Sequence, residues 1–272
     1  MKKVIVAFDG QHFPEGALRM AAWLNERQDL MVTGIFLSPV DYREMIGYSG
    51  IAVGVPVVAP PPLDVEDPGP IIARFEEFCN RQGLEYRVHR DSDLFALQEL
   101  TLETRYADLL ILSSELFYEN IEKEQPNEYL RRTLHQSECP VLLVPEKYDL
   151  PGNLVLSYDG KATSVHAIKQ FAYLFPELCA LDTLLVTAED ENKDVPNLAL
   201  ITELAGRHYP SLTIETLVGE TRLSFGNWIA ERTGSLLITG AYGRGELSNL
   251  FRHSFISDII KAHRVPVFVA HG

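Results

Sequence analysis

The stretch Lys3-Val4-Ile5-Val6-Ala7-Phe8-Asp9-Gly10 returns in altered form as Asn153-Leu154-Val155-Leu156-Ser157-Tyr158-Asp159-Gly160. Each is a short apolar run, rich in β-branched residues, that closes on Asp-Gly. That is the pattern of a buried strand ending in a tight turn. A helical pattern follows each run. Ala17, Met20, Ala21 and Leu24 are spaced for one helix face within Gly16 to Glu26, and Ala167, Ile168, Phe171 and Leu174 for another within Ser164 to Leu174.

The ends of the two copies also match. Ala107-Asp108-Leu109-Leu110-Ile111-Leu112-Ser113 parallels Gly234-Ser235-Leu236-Leu237-Ile238-Thr239-Gly240, and Glu138-Cys139-Pro140-Val141-Leu142-Leu143-Val144-Pro145 parallels Arg264-Val265-Pro266-Val267-Phe268-Val269-Ala270. Continuous apolar strands alternating with helices imply parallel sheets covered on both faces, with right-handed crossovers. The chain therefore reads as α/β, two tandem doubly wound domains over 1–147 and 151–272, each with a five-stranded, mainly parallel sheet. Pro151-Gly152 supplies the turn chemistry of the boundary. Asp9 and Asp159 lie 150 positions apart, but Pro140 and Pro266 only 126, so the first copy carries extra length. The uncharged, Pro- and Gly-rich segment within Val40 to Pro70 is the surplus, read as a lid, a partner arm or a disordered insert.

The 272 residues suit two domains of ordinary size, and the 46% hydrophobic content allows each a core. With 24 Lys+Arg against 38 Asp+Glu the net charge is −14, which repels nucleic-acid backbones and anionic membranes; neither is expected as a partner. The apolar run at the N-terminus is too short for a signal peptide. Ile46 to Leu63 carries no charge, but Pro56, Pro60, Pro61 and Pro62 forbid a spanning helix. Cys79, Cys139 and Cys179 are far apart and form neither a disulfide framework nor a metal knuckle, as expected of reduced thiols in a cytoplasmic protein. His263 and His271 lack ligand spacing, and no metal site is expected.

The candidate chemistry lies in Gly240-Ala241-Tyr242-Gly243-Arg244-Gly245, directly after a buried-type strand and before the helix opened by Ser254. Glycines at a strand-to-helix junction let backbone N–H groups approach an anion, and a helix N-terminus adds positive potential. Arg244, Arg252 and His253 concentrate positive charge there, and Ser254 can cap the helix or donate to a phosphate oxygen. No Gly-Lys-Ser/Thr follows, so this is not a P-loop. Its order G-x-x-G-x-G is not the dinucleotide fingerprint either. The residues are also compatible with a plain strand-to-loop turn with surface arginines. Asp159-Gly160 and Asp9-Gly10 are likewise compatible with a tight turn and helix cap.

The arrangement resembles the universal stress protein family, whose ATP-binding members carry Gly, two residues, Gly, nine residues, then Gly-Ser/Thr. Gly240 and Gly243 match the first two glycines, Arg244 to Arg252 is the interval, His253 stands at the third glycine and Ser254 matches the hydroxyl. Ile256 stands where the family often has a second hydroxyl residue. The resemblance covers both copies and implies an adenine-nucleotide α-hydrolase-like fold and a stress-linked, cytoplasmic protein that binds or senses ATP, with magnesium, in its C-terminal copy. It implies that Asp159 lies near the nucleoside, that Thr187 meets the adenine edge through its backbone, and that Gly240, Gly243 and Ser254 hold phosphates, with Arg244 and His253 alongside. In relatives the last strand mediates dimerisation, so 141–144 and 267–269 are expected to pair as an internal pseudo-dimer, with further homo-oligomers open.

The first copy has Ser113-Ser114-Glu115-Leu116-Phe117-Tyr118 where the glycines should be, and Glu122, Glu124 and Glu128 follow as an anionic wall. It is expected to be a degenerate, structural or regulatory half. Three functions remain: a nucleotide-binding module, a structural partner protein without a ligand, and an ATP-cleaving enzyme. The last has only Ser157-Tyr158-Asp159-Gly160-Lys161 in its favour, without the expected pyrophosphatase loop or nucleophile elbow.

Overall fold

The computed structural model describes residues 1–38, 67–90, 96–119, 127–189, 195–218, 221–240 and 255–270. The first half runs β1 (Lys2–Phe8), α1 (Glu15–Asn25), β2 (Leu30–Phe36), α2 (Gly69–Gln82), β3 (Glu85–Arg90), α3 (Ala96–Thr104), β4 (Leu109–Ser113), α4 (Glu128–Gln136) and β5 (Val141–Val144). The second repeats it as β6 (Asn153–Tyr158), α5 (Ala162–Leu174), β7 (Asp182–Glu189), α6 (Leu198–His208), β8 (Leu212–Val218), α7 (Thr221–Ala230), β9 (Ser235–Gly240), α8 (Phe255–Ala262) and β10 (Val267–Ala270). The expected helix of the first copy starts one residue earlier than Gly16, and that of the second two residues earlier than Ser164.

All ten strands join one sheet in the order β3-β2-β1-β4-β5-β10-β9-β6-β7-β8. Within each half every pairing is parallel. The halves meet where β5 and β10 run antiparallel, with Leu143 opposite Val267, Leu142 opposite Phe268 and Val141 opposite Val269. These are the two strands expected to pair. Because their directions oppose, the carboxyl ends of the two parallel sets point to opposite edges of the sheet.

Alternate strand residues face opposite layers. Val4, Val6, Leu154, Leu156 and Phe268 pack with α1, α2, α5 and α6, while Ile5, Leu110, Val155, Leu237 and Val267 pack with α3, α4, α7 and α8. At the junction Phe268 is fully buried and meets Phe171 of α5 edge-on at 5.2 Å. The outer strands read differently. β3, Glu-Tyr-Arg-Val-His-Arg, alternates exposed with partly buried residues, and its charges suit an edge that must not recruit another strand.

The surplus segment was read through Pro70, but Gly69 and Pro70 already belong to α2. The remainder up to residue 66, with the Ile46 to Leu63 stretch, lies outside the described residues. Among the described residues no helix is long and apolar enough to cross a membrane. The three cysteines are free and buried, and burial pushes the thiols of Cys79 and Cys139 up to about 12 and that of Cys179 up to about 11. They are packing residues rather than reactive ones.

Phe268 serves both halves, so its truncation tests the junction. Phe268→Ala should destabilise the chain by about 3–5 kcal/mol, the range for emptying a buried aromatic site, measured by urea unfolding.

Candidate functional site

In each half the strand order reverses between the first strand and the fourth, which opens a crevice at their carboxyl ends. In the second half this lies between β6 and β9. Tyr158 is in register with Thr187 of β7, and the β6–β9 pairing that sets Leu156 beside Ile238 carries Gly240 to the level of Tyr158. Asp159, Thr187 and Gly240 thus gather at one end of adjacent strands.

Gly240 is required there by close approach. A Cβ at this position would come within 2.4 Å of the Thr163 carbonyl carbon and 2.6 Å of the Ser164 nitrogen, so the end of β9 lies directly on the first turn of α5. The positive end of that helix faces the crevice. Ser164 is buried and donates its hydroxyl to Lys161 O at 2.9 Å. Asp159 accepts the Lys161 N–H on Oδ1 at 3.0 Å, around Gly160 at φ +77°. Its other oxygen lies 3.5 Å from Lys161 Nζ, and half of the Asp159 side chain is exposed. Thr187 is 2% exposed, and its hydroxyl finds no hydrogen-bond partner among the described residues. An unpaired buried hydroxyl costs about 1–3 kcal/mol unless something outside the chain supplies a partner. Gly243, Arg244, His253 and Ser254, expected at the same crevice, lie outside the described residues.

The first half closes the equivalent crevice with its own groups. Asp9 is 4% exposed, and its carboxylate accepts the backbone N–H groups of Gln11 at 3.0 Å, His12 at 2.9 Å and Tyr118 at 2.9 Å. His12 Nδ1 stands 2.7 Å from its second oxygen. Tyr118 adopts φ +56°, stacks on Tyr129 at 4.4 Å and donates its hydroxyl to Ser38 O. Asn127 caps α4 through Leu130 N and donates to Phe117 O.

A second carboxylate comes from beyond β5. Glu146 accepts the Gly16 N–H in the first turn of α1 at 3.0 Å and the Ser113 hydroxyl at the end of β4 at 2.8 Å. The sequence pattern did not reveal Glu146, because it stands 33 residues after Ser113 and belongs to no local motif. The expected anionic wall needs correction at Glu128, which pairs with Arg131 at 2.7 Å and Arg132 at 3.1 Å on its own helix. Glu122 and Glu124 lie outside the described residues. The halves also touch where His263, at φ +45° after α8, places Nδ1 3.0 Å from the Ser114 hydroxyl.

The sequence matches no family model and no curated protein. The structure is similar to that of a universal stress protein from Archaeoglobus fulgidus DSM 4304, with a TM-score of 0.71 at 12% identity, over 99% of this chain and 98% of that one. The chain has the universal stress protein fold. A universal stress protein in complex with cAMP covers 45% of this chain and 98% of that one, at 14% identity and a TM-score of 0.33. The universal stress protein fold extends over both halves of the chain, so the two crevices occupy two copies of one architecture.

Asp9→Ala strands three backbone donors and the His12 ring, and should cost about 3–5 kcal/mol by chemical unfolding. Asp159→Ala removes one exposed turn contact and should cost about 1 kcal/mol. The hydrogen bond to Asp9 raises the His12 pKa above 6.5, against a smaller opposing effect of burial. A basic group with a raised folded pKa adds stability that is complete below its unfolded pKa and is lost as pH rises through the folded value. The stability advantage of the wild type over His12→Gln should therefore be larger at pH 6 than at pH 8.5, measured by urea unfolding at each pH.

Proposed function

We propose that the second half binds an adenine nucleotide, ATP by the family resemblance, at the crevice between β6 and β9, and that the first half serves as its structural partner. The contrast between the two crevices carries this reading. In the first half the space between the first turn of α1 and the end of β4 receives the Glu146 carboxylate, so this architecture seats an anion at that helix terminus. In the second half the matching position on β9 is Gly240, packed on the first turn of α5. Among the described residues the one carboxylate bonded at that turn is Asp159, on the N–H of the cap residue Lys161. The half-exposed Asp159 side chain can reach a ribose hydroxyl, and among the described residues the Thr187 hydroxyl lacks a partner.

The triphosphate then extends toward the segment after Gly240, where the sequence supplies Gly243, Arg244, His253 and Ser254. The self-filled first crevice also favours a second reading, in which the whole chain is a structural partner protein without a ligand.

Isothermal titration calorimetry with ATP separates the two. One site per chain is expected, weakened about tenfold or more in Asp159→Ala, the loss of one charge-assisted hydrogen bond. Glu146→Gln in the first half should leave the affinity unchanged. No binding, or binding insensitive to Asp159, overturns the assignment and leaves the structural reading.

A further inference from the structure

A second concavity of the C-terminal half lies beside the β6–β9 crevice, on the α5–α6 side. A cleft of about 480 Å³ opens between α5 and α6, lined by Tyr158, Val165, His166, Lys169, Ile201 and Leu204 among others. That volume lies within the range of small-ligand sites.

The first half shows what the architecture puts in this place. Phe13 stands four residues after Asp9, and its ring lies 5.9 Å from that of Phe8, the last residue of β1. The Arg74 guanidinium of α2 covers the ring at 3.8 Å from its centroid. An aromatic ring under a cation thus fills the space between the end of the first strand and the second helix. In the second half Tyr158 replaces Phe8, and α5 begins three residues after Asp159 where α1 begins six after Asp9, so the loop that carries Phe13 has no counterpart. Tyr158 turns its hydroxyl to Pro196 O at 2.7 Å, so its polar end is already satisfied. The apolar wall remains in Val165, Ile201 and Leu204, and the cation is now Lys169 on α5. Lys169 has no carboxylate partner among the described residues. Beside it the His166 pKa is lowered, first by burial and then by Lys169, so at neutral pH the imidazole adds a neutral ring surface and a donor rather than a second charge.

We propose that this cleft binds a small aromatic anion, an arylcarboxylate, its ring seated on Val165, Ile201 and Leu204 and its carboxylate paired with Lys169. The cleft opens between α5 and α6 and meets the Asp159 turn at Gly160, while Gly240 closes on the first turn of α5 at Thr163 and Ser164. It does not depend on nucleotide binding.

The test is calorimetric and NMR titration of the full chain with 2-naphthoate, beside its neutral isostere 2-naphthamide. Wild type should bind the carboxylate about tenfold or more tightly than the amide, as one charge-assisted contact implies. Lys169→Glu should remove that preference and Lys169→Arg should retain it. Val165→Trp, which fills the cleft, should abolish binding, with circular dichroism reporting that the fold persists. Saturating ATP should leave the 2-naphthoate affinity unchanged. The proposal is overturned by no binding, by equal binding of the amide, by binding that survives both Lys169→Glu and Val165→Trp, or by competitive displacement with ATP.

Discussion

The pairing of Val141–Val144 with Val267–Ala270 governs the rest of the molecule. Each strand has only four residues and no charge, and each would otherwise leave a row of backbone donors and acceptors open at an apolar sheet edge. Joining them removes both edges at once and makes two small cores continuous. Leu142 and Phe268 enter the layer of α1, α2, α5 and α6, and Val141, Leu143, Val267 and Val269 enter the opposite layer. A polar residue at either strand would break pairing and packing together. The antiparallel sense also inverts one half relative to the other. The two crevices therefore open at opposite edges of the sheet, too far inverted to share one ligand, and each is free to diverge alone.

The first crevice has diverged by internal satisfaction. Asp9 accepts three backbone donors and a histidine, and Glu146 joins the start of α1 to the end of β4. A buried carboxylate is tolerable only when so many donors meet it, since leaving one uncompensated costs several kcal/mol. Those bonds tie β1, α1, β4 and the Tyr118 turn into one rigid unit. The His263–Ser114 contact carries that rigidity across to the residue that ends α8 of the other half. The first half is thus cross-braced at its crevice by bonds that the described residues of the second half do not repeat.

Much of the architecture was legible because it rests on local pattern. The repeated apolar run ending in Asp-Gly located β1 and β6, and the helical spacing after each located α1 and α5 to within two residues. The Pro-Val-apolar endings located the strands that join the halves. β3 and β8 did not stand out individually, because an edge strand such as Glu85–Arg90 carries charges to discourage association and so loses the apolar signature. The candidate site was legible only in part. Asp159 and Gly240 announced themselves by turn chemistry, but Glu146 depends on a contact made by folding across 130 residues to Gly16, which no window of sequence contains. The early ending of the surplus at Gly69 escaped notice because Pro and Gly mark loops, although Pro at the first turn of a helix is equally favourable.

Asp9-Gly10 and Asp159-Gly160 show why a dipeptide does not define a site. Both glycines adopt positive φ, +78° and +77°, and both aspartates bond the N–H two residues on. The backbone turn is the same, yet one carboxylate is sealed and the other is half exposed. Among the described residues, what differs is the group that meets each turn. Tyr118 brings its N–H down on Asp9, whereas the end of β9 meets α5 as a bare glycine. A side chain at Gly240 would collide with Thr163 and push the strand end from the helix. The second crevice therefore depends on a missing Cβ on one strand as much as on the carboxylate of another, and the first on a tyrosine held at φ +56°. Among the described residues the first-strand turn is sealed by protein in the first half and half exposed in the second.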